Sequence, residues 1–507
     1  MTANDISAVA DLELGDYESL SDIQANMYMT DMMYNNYKMG SMSNYDYSQD
    51  SESIHSKFRI TPKKTTMYST ITEKMESNPS TNGEFNFVIN DKMDFLNYVD
   101  LFRRFPKIRV KDEMKNKFQI SFTHNLGHNV INSFELLVDG DPKQTITNTW
   151  LDIHSQLFVP DNHRKNYRKN ICDEKYGKLW SGGVVTEEKN KVWASELDSL
   201  TVKVPIPFSF EKTPFPIFLA KQSKVSIRGK FKTKYSELIK MRFKKDDNGP
   251  WEEIPFRWQV IHAISGEDHL IPDAPELYAS YSKISEMERD SWLDQIKKEG
   301  MNGEKGLYKY YYNDIIINSY DKYHNSEEPF SDVLSSKTPT KGIFWVAQNV
   351  TGMKYNNYSN YTTNPYDIER GDHPVSKVSL KHGGHTHRFK DMDFSHFVDV
   401  MCYHHFPSSP YSKGYGGLAF SKNIFSVDAD IGPILDKTKT SLSLILEGNI
   451  NHDKLNDLKD SDLLASLVNE IENKNRPSNK YKIFVFVVVI KQLQFPIAGK
   501  IKVNDGS

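Results

Sequence analysis

The chain has 507 residues, 38% of them hydrophobic, a formal net charge of −3 and two cysteines. The length exceeds one compact core, so we expect at least two domains, and the balanced charge argues against a nucleic-acid-binding protein. Two distant cysteines argue against a disulfide framework. The lack of a signal-peptide pattern, and of an apolar run near the roughly 20 residues that cross a bilayer, predicts a soluble protein made in the cytosol.

Residues 1–57 differ in composition from the rest of the chain. They contain about ten acidic residues against two basic ones, and a cluster of methionines that begins at Met27 and ends at Met42. Weak apolar periodicity favours a flexible acidic tail. The alternative is an arm that becomes ordered on a partner, with Met and Tyr side chains as adaptable anchors.

Strand patterns begin near residue 58 and are clearest in the stretch Lys117–Phe158. Phe118, Ile120 and Phe122 alternate with polar residues, which is typical of a half-buried strand. A second apolar run ends at Asp139-Gly140, a strong signal for a tight hairpin. With a return strand over Gln144–Trp150, the pattern predicts three strands that begin one antiparallel sheet.

The rest of this half continues the β pattern. Alternation predicts strands over Phe85–Ile89, Val202–Phe210, Val225–Phe231 and Ile254–Val260, whereas Asp161–Asn190 is polar and glycine-containing and is predicted to be a loop. Pro205 and Pro207 cannot donate to a strand ladder, so the strand that contains them should lie at a sheet edge or bend.

The second half opens with a predicted helix. Ser285 and Glu288 fit a capping box, with apolar residues at Trp292, Leu293 and Ile296 behind it. A second amphipathic helix is predicted over Ser461–Ile471. The remaining signals are strands, listed here: Tyr308–Asn318, Ile343–Ala347, Leu442–Leu446 and Tyr481–Phe495. The continuous apolar run in the last of these strands indicates burial on both faces. Two successive all-β units, either sandwiches or jelly rolls, follow from this pattern.

No catalytic motif is evident. The sequence lacks a Walker A loop, a dinucleotide-binding glycine fingerprint, a nucleophile elbow and paired-cysteine zinc spacing, so we assign no catalytic, cofactor-binding or metal-binding residue. One cluster contains seven histidines: His373, His382, His385, His387, His396, His404 and His405. They are either loop or interface histidines that bond to neighbouring groups or, less favoured, ligands of a metal-dependent jelly-roll enzyme.

Three Asn-x-Ser/Thr sequons occur close together, at Asn349, Asn357 and Asn360. The Tyr- and Asn-rich composition predicts an exposed loop. The sequons are either chance matches or, in the minority interpretation, glycosylated positions on the surface.

Four blocks in order resemble the double-jelly-roll major capsid proteins of the nucleocytoplasmic large DNA viruses. They are Phe122–Ile153 (FTHNLGHNVINSFELLVDGDPKQTITNTWLDI), Val202–Ile227, Ala274–Trp292 with its Glu288-Arg289 pair, and Ser335–Asn349 (SSKTPTKGIFWVAQN). The sequence departs from the family pattern at three places. The acidic tail replaces the usual N-terminal opening, and the late block Tyr411–Asp430 is degenerate. The predicted helix near Leu463 resembles an insertion before the last strand. A divergent main capsid protein and a specialised paralogue both fit these departures.

The resemblance implies an all-β protein of two consecutive eight-stranded jelly rolls with short helical insertions. We expect an N-terminal arm over residues 1–57, a first jelly roll over 58–262 and a second over 263–507. The implied function is that of a major capsid protein of an icosahedral large DNA virus, forming homotrimeric, pseudo-hexagonal capsomers. A transient scaffold or a minor capsid paralogue is the alternative.

The same resemblance implies the surroundings of the protein. The partners would be other copies of the chain, neighbouring capsomers, minor capsid proteins and the face of an inner membrane, without direct contact to nucleic acid. The protein would be made in the host cytoplasm and end in the virion. Asp161–Asn190 and Tyr355–His373 would be tower or intersubunit loops. His124, Asn125, His128 and Asn129 would bond backbone groups where the sheet reverses, with Gly127 allowing an unusual φ.

Overall fold

The computed structural model describes residues 68–79, 83–173, 193–245, 249–261, 274–298, 306–319, 329–366, 368–382, 387–421, 424, 432–446, 449–451, 476–478, 480–497 and 499–504. The predicted arm and the predicted helix over Ser461–Ile471 lie outside these residues. The part of the chain from Tyr68 to Ser507 forms one compact unit. None of the described helices is long and apolar enough to cross a membrane.

The strands, in chain order, are β1 (Tyr68–Lys74), β2 (Glu76–Pro79), β3 (Glu84–Val88), β4 (Phe95–Phe105), β5 (Ile108–Arg109), β6 (Phe118–Phe122), β7 (Ile131–Val138), β8 (Asp141–Thr147), β9 (Glu196–Leu197), β10 (Leu200–Ile206), β11 (Phe215–Pro216), β12 (Val225–Phe231), β13 (Ile239–Lys244), β14 (Trp251–Ile254), β15 (Glu276–Ile284), β16 (Leu307–Ser319), β17 (Phe330–Val333), β18 (Thr340–Asn349), β19 (Val375–Lys381), β20 (His387–Asp393), β21 (Tyr415–Ala419), β22 (Ser441–Leu446), β23 (Asn449–Asn451), β24 (Arg476–Ser478), β25 (Tyr481–Pro496) and β26 (Lys502–Asn504). The α-helices are α1 (Leu126–Asn129), α2 (Asn148–Leu157), α3 (Asp161–Asn170), α4 (Glu286–Lys298), α5 (Val350–Lys354) and α6 (Met401–His405).

The strands form two groups of antiparallel sheets. In the first group, one sheet has the order β1-β15-β4-β10 with β11 also on β4, a second has the order β2-β3-β12-β7-β8, and a third has the order β14-β13-β6. In the second group, the sheet β16-β25-β18-β21, with β26 on β25, accompanies the sheet β17-β22-β19-β20. Strand β15 follows the first group in sequence but pairs between β1 and β4, so the chain returns to the first group before it enters the second.

The last long strand explains how the two groups share a core. Val485, Val487 and Val489 of β25 face the interior of the second group, whereas Phe486 and Val488 belong to the core that continues from the first group. Strand β18 alternates in the same way. The prediction that Tyr481–Phe495 is buried on both faces is therefore confirmed, and the continuous apolar run is a period-two pattern shared between two cores.

Several local predictions are confirmed. Asp139 and Gly140 both have positive φ, 53° and 91°, as the tight primed turn between β7 and β8 requires. Strand β10 lies at a sheet edge, as Pro205 predicts. The hydroxyl of Ser285 accepts a hydrogen bond from the Glu288 backbone N–H at 3.3 Å, so α4 begins where the capping pattern placed it.

Other local predictions are wrong, and each error has a physical reason. The return strand ends at Thr147 rather than Trp150, because the Thr147 hydroxyl caps α2 by accepting from the Trp150 N–H at 3.3 Å. Strand β14 ends at Ile254, and a short 3-10 helix follows over Trp258–Val260. Strand β6 pairs with β13 rather than with β7, because α1 redirects the chain between them.

The polar stretch Asp161–Asn190 begins with a helix rather than a loop. Helix α3 covers Asp161–Asn170, and Tyr167 is its one buried residue, so the apolar periodicity that reveals a helix is absent from the sequence. Acidic Asp161 in the first turn and basic Arg168 and Lys169 in the last turn still suit the helix dipole. Residues 174–192 lie outside the described part of the chain.

Candidate functional site at the junction of the two jelly rolls

Asp152 of helix α2 is the centre of a buried polar network. One carboxylate oxygen, Oδ1, accepts hydrogen bonds from His128 Nδ1 at 2.7 Å and from Asn125 Nδ2 at 2.9 Å, and Oδ2 accepts from the Tyr361 hydroxyl at 2.9 Å. Asp152 and His128 have side-chain exposures of 1% and 0%. Three donors make this buried carboxylate tolerable, because a buried charge without partners would be expensive. The contact with Tyr361 joins the first group of sheets to the second.

The network continues through His128 to helix α3. While Nδ1 of His128 faces Asp152, its other ring nitrogen, Nε2, lies 2.9 Å from the Tyr167 hydroxyl. Burial raises the pKa of Tyr167 and of Tyr361 well above the usual value, so both hydroxyls keep their protons and remain donors. The arrangement fixes side chains in place and gives no nucleophile.

Gly127 and Asn125 position this network in a way that differs from expectation. The residue with positive φ is Asn125, at 50°, and Gly127 does not share that conformation. Glycine is needed at position 127 because an added Cβ would lie 2.8 Å from Val204 Cγ2 and 3.0 Å from Ile171 Cα. The predicted backbone bond is confirmed for Asn129, whose Nδ2 donates to the His124 carbonyl at 2.7 Å. Asn125 and His128 instead bond a distant carboxylate.

The Tyr- and Asn-rich stretch 349–366 is the second half of the junction. Asn356 takes a left-handed φ of 59°, and its Nδ2 donates to the Ile239 carbonyl of the first group at 2.8 Å. Its own carbonyl accepts from the Thr123 hydroxyl at 2.5 Å, and Asn129 Nδ2 donates to the Ser359 hydroxyl at 2.7 Å. The prediction of an exposed loop here is wrong, because these residues pack against the first group. The tower or intersubunit role of Tyr355–His373 stays a prediction.

The three sequon asparagines lie inside this stretch, each with 0% exposure. Asn349 Nδ2 donates to the Thr362 carbonyl at 2.9 Å, Asn360 Nδ2 to the Asn364 carbonyl at 2.8 Å, and Asn357 Nδ2 to the Pro365 carbonyl at 3.4 Å. Glycosylation at these positions stays a prediction. A sugar on any of these buried nitrogens would have to be attached before folding and would displace a hydrogen bond.

Aromatic packing joins the two groups beside the polar network. Trp150 is fully buried, with ring centroids 5.6 Å from Phe344 of β18 and 5.5 Å from Phe486 of β25. Phe158 continues the cluster, 5.3 Å from Phe344 and 5.5 Å from Phe406. Aromatic pairs of this kind contribute about 0.5–1.5 kcal/mol each beyond area burial. The Trp-Leu-Asp-Ile end of the sequence block Phe122–Ile153 therefore supplies both Trp150 and Asp152 to the junction.

Three further contacts lie at the junction. Arg168 of α3 stacks its guanidinium 4.1 Å above the Tyr411 ring, and Arg164 donates to the Ser409 carbonyl at 2.9 Å. Between the two sheet edges, Gln144 of β8 donates to the Asn313 carbonyl of β16 at 2.9 Å. The sequence did not single out Asp152, Tyr361, Arg168 or Gln144 in these roles, since their partners lie far away along the chain.

The histidine cluster does not come together as one site in the described part of the chain. His373 Nδ1 accepts from the Gly414 backbone N–H at 3.0 Å, and His382 Nδ1 lies 3.2 Å from the Thr440 hydroxyl. Among the described residues, no group of three His, Cys, Asp or Glu side chains is placed to hold a metal ion. His385 and the side chain of His387 lie outside the described part, so the metal-enzyme alternative stays untested.

Comparison with solved structures defines the fold. The fold matches the Faustovirus major capsid protein with a TM-score of 0.61 at 10% identity, covering 98% of this chain and 99% of that one. It matches PBCV-1 Vp54 with a TM-score of 0.58 at 13% identity, covering 88% of this chain and 98% of that one. The predicted double jelly roll is confirmed, and the two groups of sheets are its first and second jelly rolls.

The sequence comparison is more specific for the first jelly roll. Residues 56–240 match the family model described as the major capsid protein N-terminus. This part of the chain is therefore similar to major capsid protein N-terminal domains, and the whole chain has a double-jelly-roll fold. No curated protein sequence matches the chain.

Proposed function

We propose that the chain is a shell-forming major capsid protein that assembles into homotrimeric capsomers of a large icosahedral DNA virus. The observation that carries this proposal is the pair of jelly rolls, which share a core and form one compact unit. One chain supplies two similar wedges, so three copies around a threefold axis give a tile with six similar sides. Such tiles pack in a lattice without a second protein. The match to the capsid family and the matched capsid folds support the same function.

The surroundings of the protein follow from this function. The partners are other copies of the chain, neighbouring capsomers, minor capsid proteins and the inner membrane face, and the protein is made in the host cytoplasm and ends in the virion. The acidic arm over residues 1–57 contacts neighbours or basic minor proteins. The proposed domains are the arm over residues 1–57, the first jelly roll over 58–262 and the second over 263–507. Strand β15 lies in the last of these ranges but pairs with strands of the first jelly roll. The role is structural, without catalysis and without direct contact to nucleic acid.

The test is light scattering and negative-stain imaging of the purified full chain. We expect a particle of about three times the 58.6 kDa chain mass with a hexagonal outline. A clean monomer across a wide concentration range would contradict the proposal. Presence of the chain in purified mature particles separates the capsid protein from a transient scaffold, which is lost before maturation. Bound metal whose loss follows substitution of His385 or His387 would favour the enzyme alternative.

A further inference from the structure

A cleft of about 440 Å³ lies beside the junction, between the two jelly rolls. Its walls come from α2, α3 and β10 of the first jelly roll and from β16 of the second. The buried part of the wall is mainly apolar and includes Phe158, Val159, Phe208 and Ile315. The cleft therefore belongs to neither barrel interior, and whatever fills it would contact both jelly rolls at once.

The volume of the cleft calls for an occupant. Protein interiors are close-packed, and an apolar cavity of about 150 Å³ already binds a benzene-sized molecule. The polar groups of the buried wall already bond to each other: Gln144 accepts from the Ser209 N–H at 3.0 Å, and Ser209 accepts from the Asn313 N–H at 2.9 Å. The surface that they leave is apolar and suits a hydrocarbon chain of about ten carbons.

The lining of the cleft includes a neutral ring as well as charged groups. His154 lines the cleft, and burial lowers its pKa to about 3, so the ring is neutral there. The open side carries the exposed residues His163, Glu211 and Lys212. Lys212 is the basic side chain at this rim, and Glu211 is the opposing carboxyl.

We propose that the cleft is a binding site for a medium-chain amphiphile, with its hydrocarbon tail against Phe158, Phe208 and Ile315 and its anionic head at Lys212. A carboxylate such as that of a free fatty acid has this chemistry. Occupation fills the space between the jelly rolls and stabilises their relative position. The proposal concerns the folded subunit and does not depend on its assembly into a shell.

The experiment measures binding of sodium decanoate to the full chain by calorimetry and by thermal shift, below the micelle concentration. We expect saturable binding with one site per chain and a rise in Tm. 1-Decanol should bind more weakly and decyltrimethylammonium weakest, because the head meets Lys212. Lys212→Glu should weaken decanoate binding by about tenfold, and Glu211→Gln should strengthen it. Lys221→Glu, at an exposed lysine that does not line the cleft, is the matched control and should leave binding unchanged.

Filling the cleft tests the location. Ile315→Phe and Val159→Phe place a larger side chain against the space and should abolish binding, provided that circular dichroism shows a native fold. Retained binding in a folded filled variant would overturn the site. If decanoate shows no saturable binding, the proposal is wrong. If decanoate and decyltrimethylammonium bind equally well, the assignment of an anionic head group is wrong. If neither filled variant folds, the comparison of Lys212→Glu with Lys221→Glu decides the outcome.

Discussion

Lys232, just after β12, carries a charge in a place that disfavours it. Its Nζ lies 3.3 Å from the centroid of the Tyr358 ring and has no hydrogen-bond acceptor among the described residues. Burial lowers its pKa from 10.5 to about 8, although Glu237 and Asp152 act in the opposite direction. This shift corresponds to a net unfavourable free energy of about 3 kcal/mol for the charged form.

We therefore expect Lys232→Met to raise the free energy of unfolding by up to about 3 kcal/mol at pH 7. The folded-state pKa is below the unfolded value, so the unfolded chain binds more protons between pH 8 and 10.5, and wild-type stability rises with pH in that window relative to the Met variant. Denaturant unfolding at pH 7 and at pH 9.5 measures the difference. The exposed Lys221→Met serves as the control, and an advantage that grows with pH would contradict the argument.

At the level of single residues, the sequence predicts roles only where the partner is local. The bond from Asn129 to the His124 carbonyl spans five residues and follows from ordinary turn chemistry. The bonds from His128 and Asn125 go to Asp152, and that of Tyr361 to Asp152 spans 209 residues. No local pattern encodes a partner at that distance, so the centre of the junction was missed although its block was recognised.

At the level of elements, two glycines with positive φ allow the cost of backbone strain to be distinguished from the cost of a steric clash. Gly140 in the β7–β8 hairpin has φ 91° and nothing within 4 Å of an added Cβ, whereas Gly414 before β21 has φ 98° and an added Cβ 1.8 Å from the Tyr361 carbonyl oxygen. We expect Gly140→Ala to destabilise by about 1 kcal/mol, the cost of a left-handed conformation for alanine. Gly414→Ala adds a clash with the junction and should cost at least about 3 kcal/mol.

Denaturant unfolding of the two alanine variants measures the contrast, and each serves as the control for the other because their φ values are similar. Equal losses would mean that backbone strain alone decides the cost. Gly414→Ala should also shift the near-ultraviolet circular dichroism of the buried tyrosines, since Tyr361 must move. An unchanged spectrum together with a small loss would show that the backbone at Tyr361 yields easily.

Strands and helices were predictable to different degrees. Strands with one buried face, such as β6 and β12, and the doubly buried β25 follow directly from period-two or continuous apolar patterns. Helices α2 and α3 were missed for opposite reasons. In α2 eight of ten residues are buried, which hides any amphipathic stripe, and in α3 only Tyr167 is buried, which leaves no stripe to find. Sheet membership was the least accessible, because α1 sends β6 and β7 into different sheets.

At the level of the whole molecule, the order of four weak sequence blocks predicted the fold, because their spacing constrains the topology more than any block does alone. The same order could not predict the cleft beside the junction. Its walls combine Phe158 and Phe208 of the first jelly roll with Ile315 of the second, and the gap between them depends on how the jelly rolls pack. Packing at this level is a property of shape, which composition and periodicity do not record.

The shared core and the polar network predict that the two jelly rolls unfold together. Trp345 is the one tryptophan of the sequence after residue 292 and lies buried in the second jelly roll, so the fluorescence difference between wild type and Trp345→Phe reports that half. We expect this signal to coincide with the far-ultraviolet circular dichroism transition of the whole chain.

Asp152→Ala leaves His128 and Tyr361 without their acceptor in the interior. It should lower the free energy of unfolding by about 3 kcal/mol and separate the two transitions. Tyr361→Phe removes one donor and should cost about 1 kcal/mol with the transitions still coincident. Two separate transitions in the wild-type chain would mean that each jelly roll is stable alone and that the junction only orients them.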